Sequence, residues 1–282
     1  MMLPFQVDLK GKTAVVTGGA GVIGSYMSRA LAECGANVVI LGISAEPAEK
    51  LAEEIKAAGG EALSVIASVT DKAQLEAARK EINEKYGKVD ILINGAGGNH
   101  PSATTDDEYY TPEVTQSKMK SFFDLDEKGV GFVFDLNFLG TFLPSQVFGQ
   151  DMVGLEDATI INISSMNAFT PLTKIPAYSG AKSAVSNFTE WLSVYLANTN
   201  VRVNAIAPGF LLTDQNRALL KNEDGTNTPR TEKILAATPM NRFGEPEELI
   251  GALLFLVSKQ ASSFVNGVVL PVDGGFHAYS GV

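Results

Sequence analysis

Tyr178-Ser-Gly-Ala-Lys182, with Ser165 thirteen positions upstream of the tyrosine, is the stretch whose residue types and spacing suit chemistry. A phenol titrates near pH ~10 and is a poor proton donor or acceptor at neutrality. A lysine four residues later on a helix lies one turn away on the same face. Its ammonium favours the phenolate and lowers the phenol pKa, which suits acid–base work near neutral pH. Taken alone, the pair also fits an ordinary amphipathic helix. The elements around it decide between the two.

Lys12-Thr-Ala-Val-Val-Thr-Gly18 is a short apolar run that breaks into Gly18-Gly-Ala-Gly21-Val-Ile-Gly24. Met27, Ala30, Leu31 and Cys34 then fall at helical spacing until Gly35. A strand, a glycine turn and a helix in that order open a dinucleotide-binding fold, where backbone N–H groups approach a pyrophosphate at the helix N-terminus. Further strands are expected at Val38–Leu41, Ala62–Ile66, Val89–Ile93, Thr159–Ile163, Val201–Ile206 and Val268–Leu270. Several are apolar throughout, as strands covered on both faces are. Helical patterns lie between them at roughly 46–58, 71–86, 131–150, 176–199 and 246–258. Thr70 is placed to cap the second of these, and Pro47 and Pro246 suit first-turn positions. Repeated βα units predict one α/β Rossmann domain over residues 1–282, a doubly wound parallel sheet with helices on both faces. Its ligands are expected beyond the C-terminal strand ends.

Composition narrows the function classes. The 282 residues suffice for one large domain, and no linker or repeat divides them. A net charge of −10 with no basic run argues against nucleic acid or an anionic membrane surface as partner. No secretory pattern opens the chain and no apolar run approaches ~18 residues, so a cytoplasmic protein is expected. Cys34 is the only cysteine and His100 and His277 the only histidines, which excludes an internal disulfide and gives no zinc site.

The residues resemble the short-chain dehydrogenase/reductase superfamily over essentially the whole chain. The matching pieces occur in family order: Thr17-Gly18…Gly24, Asn94-Gly-Ala-Gly97, Asn137, Ser164-Ser165, Tyr178-x-x-x-Lys182, Pro208-Gly209 and Asp273-Gly-Gly275. The segments from Asn94 to Pro101, from Phe134 to Leu143 and from Met166 to Phe169 look like its sugar-acid branch, of the D-mannonate oxidoreductase (fructuronate reductase) type. The resemblance implies an NAD- or NADP-dependent enzyme interconverting a ketone and a secondary alcohol, commonly as a homotetramer. Tyr178 would be its general acid or base. Lys182 would lower the Tyr178 pKa and bond the nicotinamide ribose. Ser165 would hold the substrate oxygen, and Asn137 would organise a water in a proton relay. Cofactor contacts would come from Gly18, Gly21, Val22, Ile23, Gly24, Gly42, Ser44, Ser68, Val69, Asn94, Gly95, Ala96, Tyr178, Lys182, Pro208, Gly209 and Thr213. Other reductases of the type, such as a gluconate 5-dehydrogenase or a 3-oxoacyl carrier-protein reductase, remain alternatives. So does a nucleotide sensor without turnover, although a sensor has no need of a proton relay.

Two features depart from the family pattern. Val22 stands where the family's turn has glycine, with glycine one place earlier at Gly21. The second strand ends in Leu41-Gly42-Ile43-Ser44, without the acidic residue that bonds a ribose 2′-OH or an arginine for a 2′-phosphate. The third ends in Ala67-Ser68-Val69, where the family usually has an aspartate. The sequence therefore leaves NAD against NADP open. Substrate specificity is assigned to a loop at about 99–131 and a lid at about 208–246. Both are polar, as a polyhydroxy acid needing hydrogen bonds and a cation for its carboxylate requires. Asn99, His100, Ser165, Asn167, Lys174, Gln215, Asn216 and Arg217 are the substrate-contact candidates, although charges on such segments commonly face water.

Overall fold

The computed structural model describes residues 6–111, 119–213, 220, 222 and 224–281. In chain order it builds β1 (Thr13–Thr17), α1 (Val22–Glu33), β2 (Asn37–Gly42), α2 (Ala45–Ala57), β3 (Glu61–Ile66), α3 (Lys72–Tyr86) and β4 (Ile91–Asn94). There follow α4 (Glu127–Phe134), a π-helical turn (Asp135–Leu139), α5 (Gly140–Met152), β5 (Ala158–Ile163), α6 (Pro176–Tyr195) and β6 (Val201–Pro208). The last elements are α7 (Pro229–Ala236), α8 (Ile250–Val257), α9 (Lys259–Ser262) and β7 (Val269–Val272).

The seven strands form one parallel sheet in the order β3-β2-β1-β4-β5-β6-β7. Side chains alternate between its faces, and both faces are apolar. Ala14, Val16, Val38, Ile40, Ile91 and Ile93 join the core under α1, α2 and α8. Val15, Val39, Leu41, Leu92 and Ile160 join the opposite core under α3, α5 and α6. This two-sided burial produces the continuous apolar runs read in the sequence. The chain leaves β1 for β2 and β3 on one side and returns through β4 to β7 on the other, so loops diverge between β1 and β4 and open a crevice there.

Several boundaries differ from the sequence expectation. Asp71, not Thr70, caps α3 by accepting from the Gln74 amide, while the Thr70 hydroxyl pairs with Ser68. The helix expected at 131–150 starts four residues earlier, capped by the Asp126 carboxylate on the Gly129 amide. It is then interrupted by the π turn around Asn137. The helix expected to reach 199 stops at Tyr195, and Asn200 turns the chain in the left-handed region (φ 62). Residues 246–249 form a 3₁₀ turn before α8. Within the segment assigned as a lid, Thr228 caps α7, a helix too short for periodicity to announce.

A buried polar chain ties the two central strands to the helices behind them. Asn94 Nδ2 donates to Ser145 Oγ (2.9 Å) and Asn162 Oδ1 (2.8 Å), and Asn162 Nδ2 donates to Thr189 Oγ1 (2.9 Å). Ser145 donates to the Thr141 carbonyl and Thr141 to the Asn137 carbonyl, each at 2.8 Å. Replacing Asn162 with a leucine of similar shape leaves the Asn94 amide short of an acceptor in the core. Asn162→Leu is therefore expected to lower the unfolding free energy by about 1–3 kcal/mol, read from urea denaturation.

Candidate active site

The crevice lies beyond the C-terminal ends of β1, β4, β5 and β6, as a cavity of about 340 Å³. Val22 and Ile23 line one end and Ser165, Tyr178 and Lys182 the other, with Gly95, Gly97, Pro208, Gly209 and Thr213 between them. The nucleotide end is built by close backbone approach. Gly18 has φ 63, and a Cβ there would lie 3.0 Å from Ala96 Cα. A Cβ on Gly24 would collide with the Gly18 carbonyl oxygen. Gly21 closes the turn through its N–H to the Gly18 carbonyl at 2.9 Å and serves as N-cap of α1, with no side-chain cap. The turn thus closes on Gly21 and tolerates Val22 as the first helical residue. The first amides of α1, at Val22, Ile23 and Gly24, have no intrahelical acceptors, and no acidic residue lies in that first turn. Such an end accepts an anion, and the glycine cradle fits a dinucleotide pyrophosphate.

The other expected cofactor positions divide. Around Gly42, at the end of β2, a Cβ would meet nothing within 4 Å, and Ser44 begins α2 with its side chain exposed and uncapping. Ser68 bonds Thr70 and, through its amide, Gln74. The Val69 side chain is buried, so close to Gly140 that a Cβ on that glycine would meet it at 2.8 Å. Asn94 is buried in the polar chain described above, which leaves the cleft only its backbone. The amides of Gly95 and Ala96 donate to Thr17 Oγ1 at 3.1 and 3.2 Å, locking the end of β4 against the end of β1.

At the reacting end, α6 carries both Tyr178 and Lys182, and the 3₁₀ turn after β5 carries Ser165. The Ser165 hydroxyl accepts the Asn167 amide (3.2 Å) and caps that turn. Lys182 is buried, and its ammonium donates to the Ile163 carbonyl at 2.8 Å. Burial lowers its pKa to about 8. Lys182 Nζ stands 5.6 Å from the centroid of the Tyr178 ring. Burial raises Tyr178 above its ordinary range, and the Ser165 hydrogen bond opposes it. Burial disfavours charge on both members, so the phenol is protonated at neutrality.

Asn137 is fully buried, and its side chain is committed: Nδ2 donates to the Gly98 and Val133 carbonyls (both 2.7 Å), and Oδ1 accepts from the Gly98 amide (3.2 Å). Its contribution is to hold the 97–98 backbone beside Lys182, not to present a free amide. Of the substrate candidates, Asn99 is bonded to Thr104 (2.9 Å). His100 caps the following turn, accepting from the Ser102 amide, with its ring 5.2 Å from that of Phe132. Asn167 is buried behind Ser165, and Lys174 lines an adjoining cavity. Gln215, Asn216 and Arg217 lie outside the described residues. Among the described residues no group of three or more metal-ligating side chains occurs.

Sequence reasoning passed over Gly97, although it had it in hand within Asn94-Gly-Ala-Gly97. A Cβ there would lie 2.7 Å from Asn137 Oδ1 and 3.1 Å from Lys182 Nζ. Phe210, which lines both this cleft and the adjoining cavity, carried no signal at all. Gly97→Ala is expected to displace the lysine and cut kcat/KM at least about tenfold, about 1.4 kcal/mol in barrier, with the far-ultraviolet dichroism unchanged. A variant at the wild-type rate would contradict this packing.

The comparisons with known proteins agree with this geometry. The chain is 54% identical over 281 residues to the uncharacterised oxidoreductase UxuB of Bacillus subtilis, covering 100% of both chains. It is 35% identical over 270 residues to the 5-keto-D-gluconate 5-reductase of Escherichia coli, covering 95% of this chain and 96% of that one. A solved structure from Haemophilus influenza with bound NAD, proposed to be a D-mannonate oxidoreductase, superposes with a TM-score of 0.95 at 55% identity, covering 98% of each chain. The short chain dehydrogenase family model matches residues 12–224. With its sheet order, glycine cradle and Ser165/Tyr178/Lys182 constellation in place, the chain belongs to the short-chain dehydrogenase family.

Proposed function

We propose that this protein is an NAD(P)-dependent oxidoreductase interconverting a ketone and a secondary alcohol on a sugar acid, of the D-fructuronate/D-mannonate type. The observation that carries it is the meeting of Ser165, Tyr178 and Lys182 in one cleft with an anion-ready helix end. Strong similarity to a chain proposed to be a D-mannonate oxidoreductase supports the substrate class. The 5-keto-D-gluconate reductase relative supports a keto-sugar acid more broadly and makes 5-keto-D-gluconate the second substrate to try.

When bound, the nicotinamide supplies or accepts the hydride. In reduction, the protonated Tyr178 gives its proton to the ketone oxygen while Ser165 donates a hydrogen bond to the charge developing there. Lys182, anchored on Ile163, stabilises the resulting phenolate with its positive charge. Gly18, Gly21, Val22, Ile23 and Gly24 would hold the pyrophosphate end, with Gly95 and Ala96 lining the nucleotide beside them, and Gly42 and Ser44 would leave room at the adenosine ribose for either nucleotide. Loop 99–131 and segment 208–246 cover the substrate. The same proposal has a homotetramer acting in the cytoplasm, without nucleic acid or membrane. Exposed Trp191, Val194 and Tyr195 on α6, with the two rings stacked at 5.0 Å, favour association through that helix. Among the described residues no helix is long and apolar enough to cross a membrane.

The decisive assay follows nicotinamide absorbance with D-fructuronate and with 5-keto-D-gluconate, NADH and NADPH in parallel. Wild-type protein is expected to oxidise the cofactor. Tyr178→Phe, which removes only the transferred proton's carrier, is expected to lose at least about 10³-fold in kcat while still binding nucleotide, an effect in the usual range for general acid–base groups. Full turnover by that variant would sink the mechanism. The pH profile of reduction carries a sign. Burial lowers Lys182 to about 8, so its charge is present below that pH and lost above it, and reduction, whose phenolate that charge stabilises, should fall as pH rises through about 8. A reduction rate that rises through that pH would contradict the assignment.

A further inference from the structure

Beside the reaction cleft lies a second cavity of about 370 Å³, and Phe210 lines both. Its charged lining comes from three parts of the chain. Glu108 belongs to the loop after β4, Lys174 to the segment before α6, and Arg230 and Lys233 to α7. Lys233 Nζ bridges both Glu108 oxygens, at 3.0 and 2.9 Å. Lys174 Nζ donates to the Asp106 carbonyl at 2.6 Å, and its backbone sits in the left-handed region at φ 72, which an unbranched non-glycine residue adopts only under constraint. Arg230 makes no side-chain hydrogen bond or ion pair with the described residues. The Glu108 carboxyl is held below its usual range first by the Lys233 hydrogen bond, then by the charges of Lys233, Lys174 and Arg230, so all three cations converge on one carboxylate.

This is three positive groups against one negative in a protein whose net charge is −10. Lys233 is neutralised by Glu108. Lys174 retains ammonium protons beyond the one given to Asp106, and among the described residues nothing bonds the planar fork of Arg230, the geometry that matches a carboxylate. Phe210 and Phe276, in edge contact at 5.3 Å, wall the same space with apolar ring surface against which the C–H side of a carbon chain can lie. A ligand whose carbonyl sits against Tyr178 and whose chain passes Phe210 would bring its far end here.

We infer that Arg230 and Lys174 form the carboxylate subsite of the substrate cavity, selecting keto-sugar acids over neutral keto-sugars. This rests on the sugar-acid reading above. Glu108 and Lys233 act as a positioning pair: their bridge joins the loop after β4 to α7 and sets Arg230 over the cavity.

The test compares wild type, Arg230→Gln and the Arg230→Gln/Lys174→Gln double variant, with Lys80→Gln as a control at an exposed lysine of α3. One arm measures kcat and KM with D-fructuronate and with its neutral carboxamide. Losing a charge-assisted hydrogen bond should raise KM for the acid about 10- to 100-fold, mainly in KM rather than kcat, and collapse the preference for acid over amide. The second arm measures D-mannonate binding to the NADH-loaded protein by calorimetry, a pairing of two reduced species that cannot turn over. There the double variant should bind at least about tenfold more weakly, while Lys80→Gln matches wild type. Unchanged acid-to-amide preference and unchanged D-mannonate affinity in the double variant would overturn the subsite while leaving the reductase reading intact. Wild type that turns over neither keto acid but loses D-mannonate binding in the variants would overturn the reaction and keep the subsite. Wild type that does not bind D-mannonate overturns the subsite outright.

Discussion

A lysine ammonium taken out of water and given one backbone carbonyl to donate to is the constraint on which this site depends. Lys182 is 4% exposed, and its fixed acceptor is the Ile163 carbonyl at the end of β5. A buried charge persists only where its surroundings are polar and held in place. The end of β5 must therefore stay fixed relative to α6, and the sheet does this through the register of β5 between β4 and β6. The Asn162–Thr189 bond adds a side-chain tie from the strand to the same helix. Proton chemistry at Tyr178 inherits its geometry from this arrangement, since the tyrosine stands one turn earlier on α6.

The second requirement is that backbone come close to backbone. Gly18, Gly24 and Gly97 occupy places where a single methyl would collide with a carbonyl, an α-carbon or a catalytic side chain. These contacts bring the ends of β1 and β4 together at the point where the sheet order reverses, and Thr17 secures them with its hydroxyl. The same closeness leaves the first amides of α1 facing the crevice. A nucleotide cradle and a proton-transfer site thus share the short stretch of strand ends from β1 to β6. The polar chain from Asn94 to the Asn137 carbonyl runs beneath both.

Much of this was legible beforehand, and the failures have physical causes. Apolar runs marked six further strands after β1 to within about two residues, because a doubly covered strand has no polar face to blur its pattern. Helix limits were less legible: Asp71 displaced Thr70 as a cap, and the π turn at Asn137 is invisible to a 3.6-residue period. Helix α7 was missed because eight residues amid polar neighbours carry too little periodicity. Asn99 and His100 looked like substrate ligands by residue type, yet the chain spends them on the turn that follows β4. Asn94 looked like a cofactor contact by position, yet its side chain is core structure.

The sequence by itself determined the fold class, the strand order of the motifs, the glycine turn and the Ser165/Tyr178/Lys182 set. The first three are written in local spacing or in residue types that a single element needs, and the catalytic set was read through its resemblance to the short-chain dehydrogenase family. Only the tertiary structure decided that burial raises the phenol. It alone showed that both amide protons of Asn137 are engaged, that a Cβ at Gly97 would meet Asn137 and Lys182, and that Glu108, Lys174, Arg230 and Lys233 meet at one cavity. Burial and convergence are properties of groups far apart in the chain, such as Glu108 and Lys233 at 125 positions' separation, and no local pattern encodes which of them will share a space.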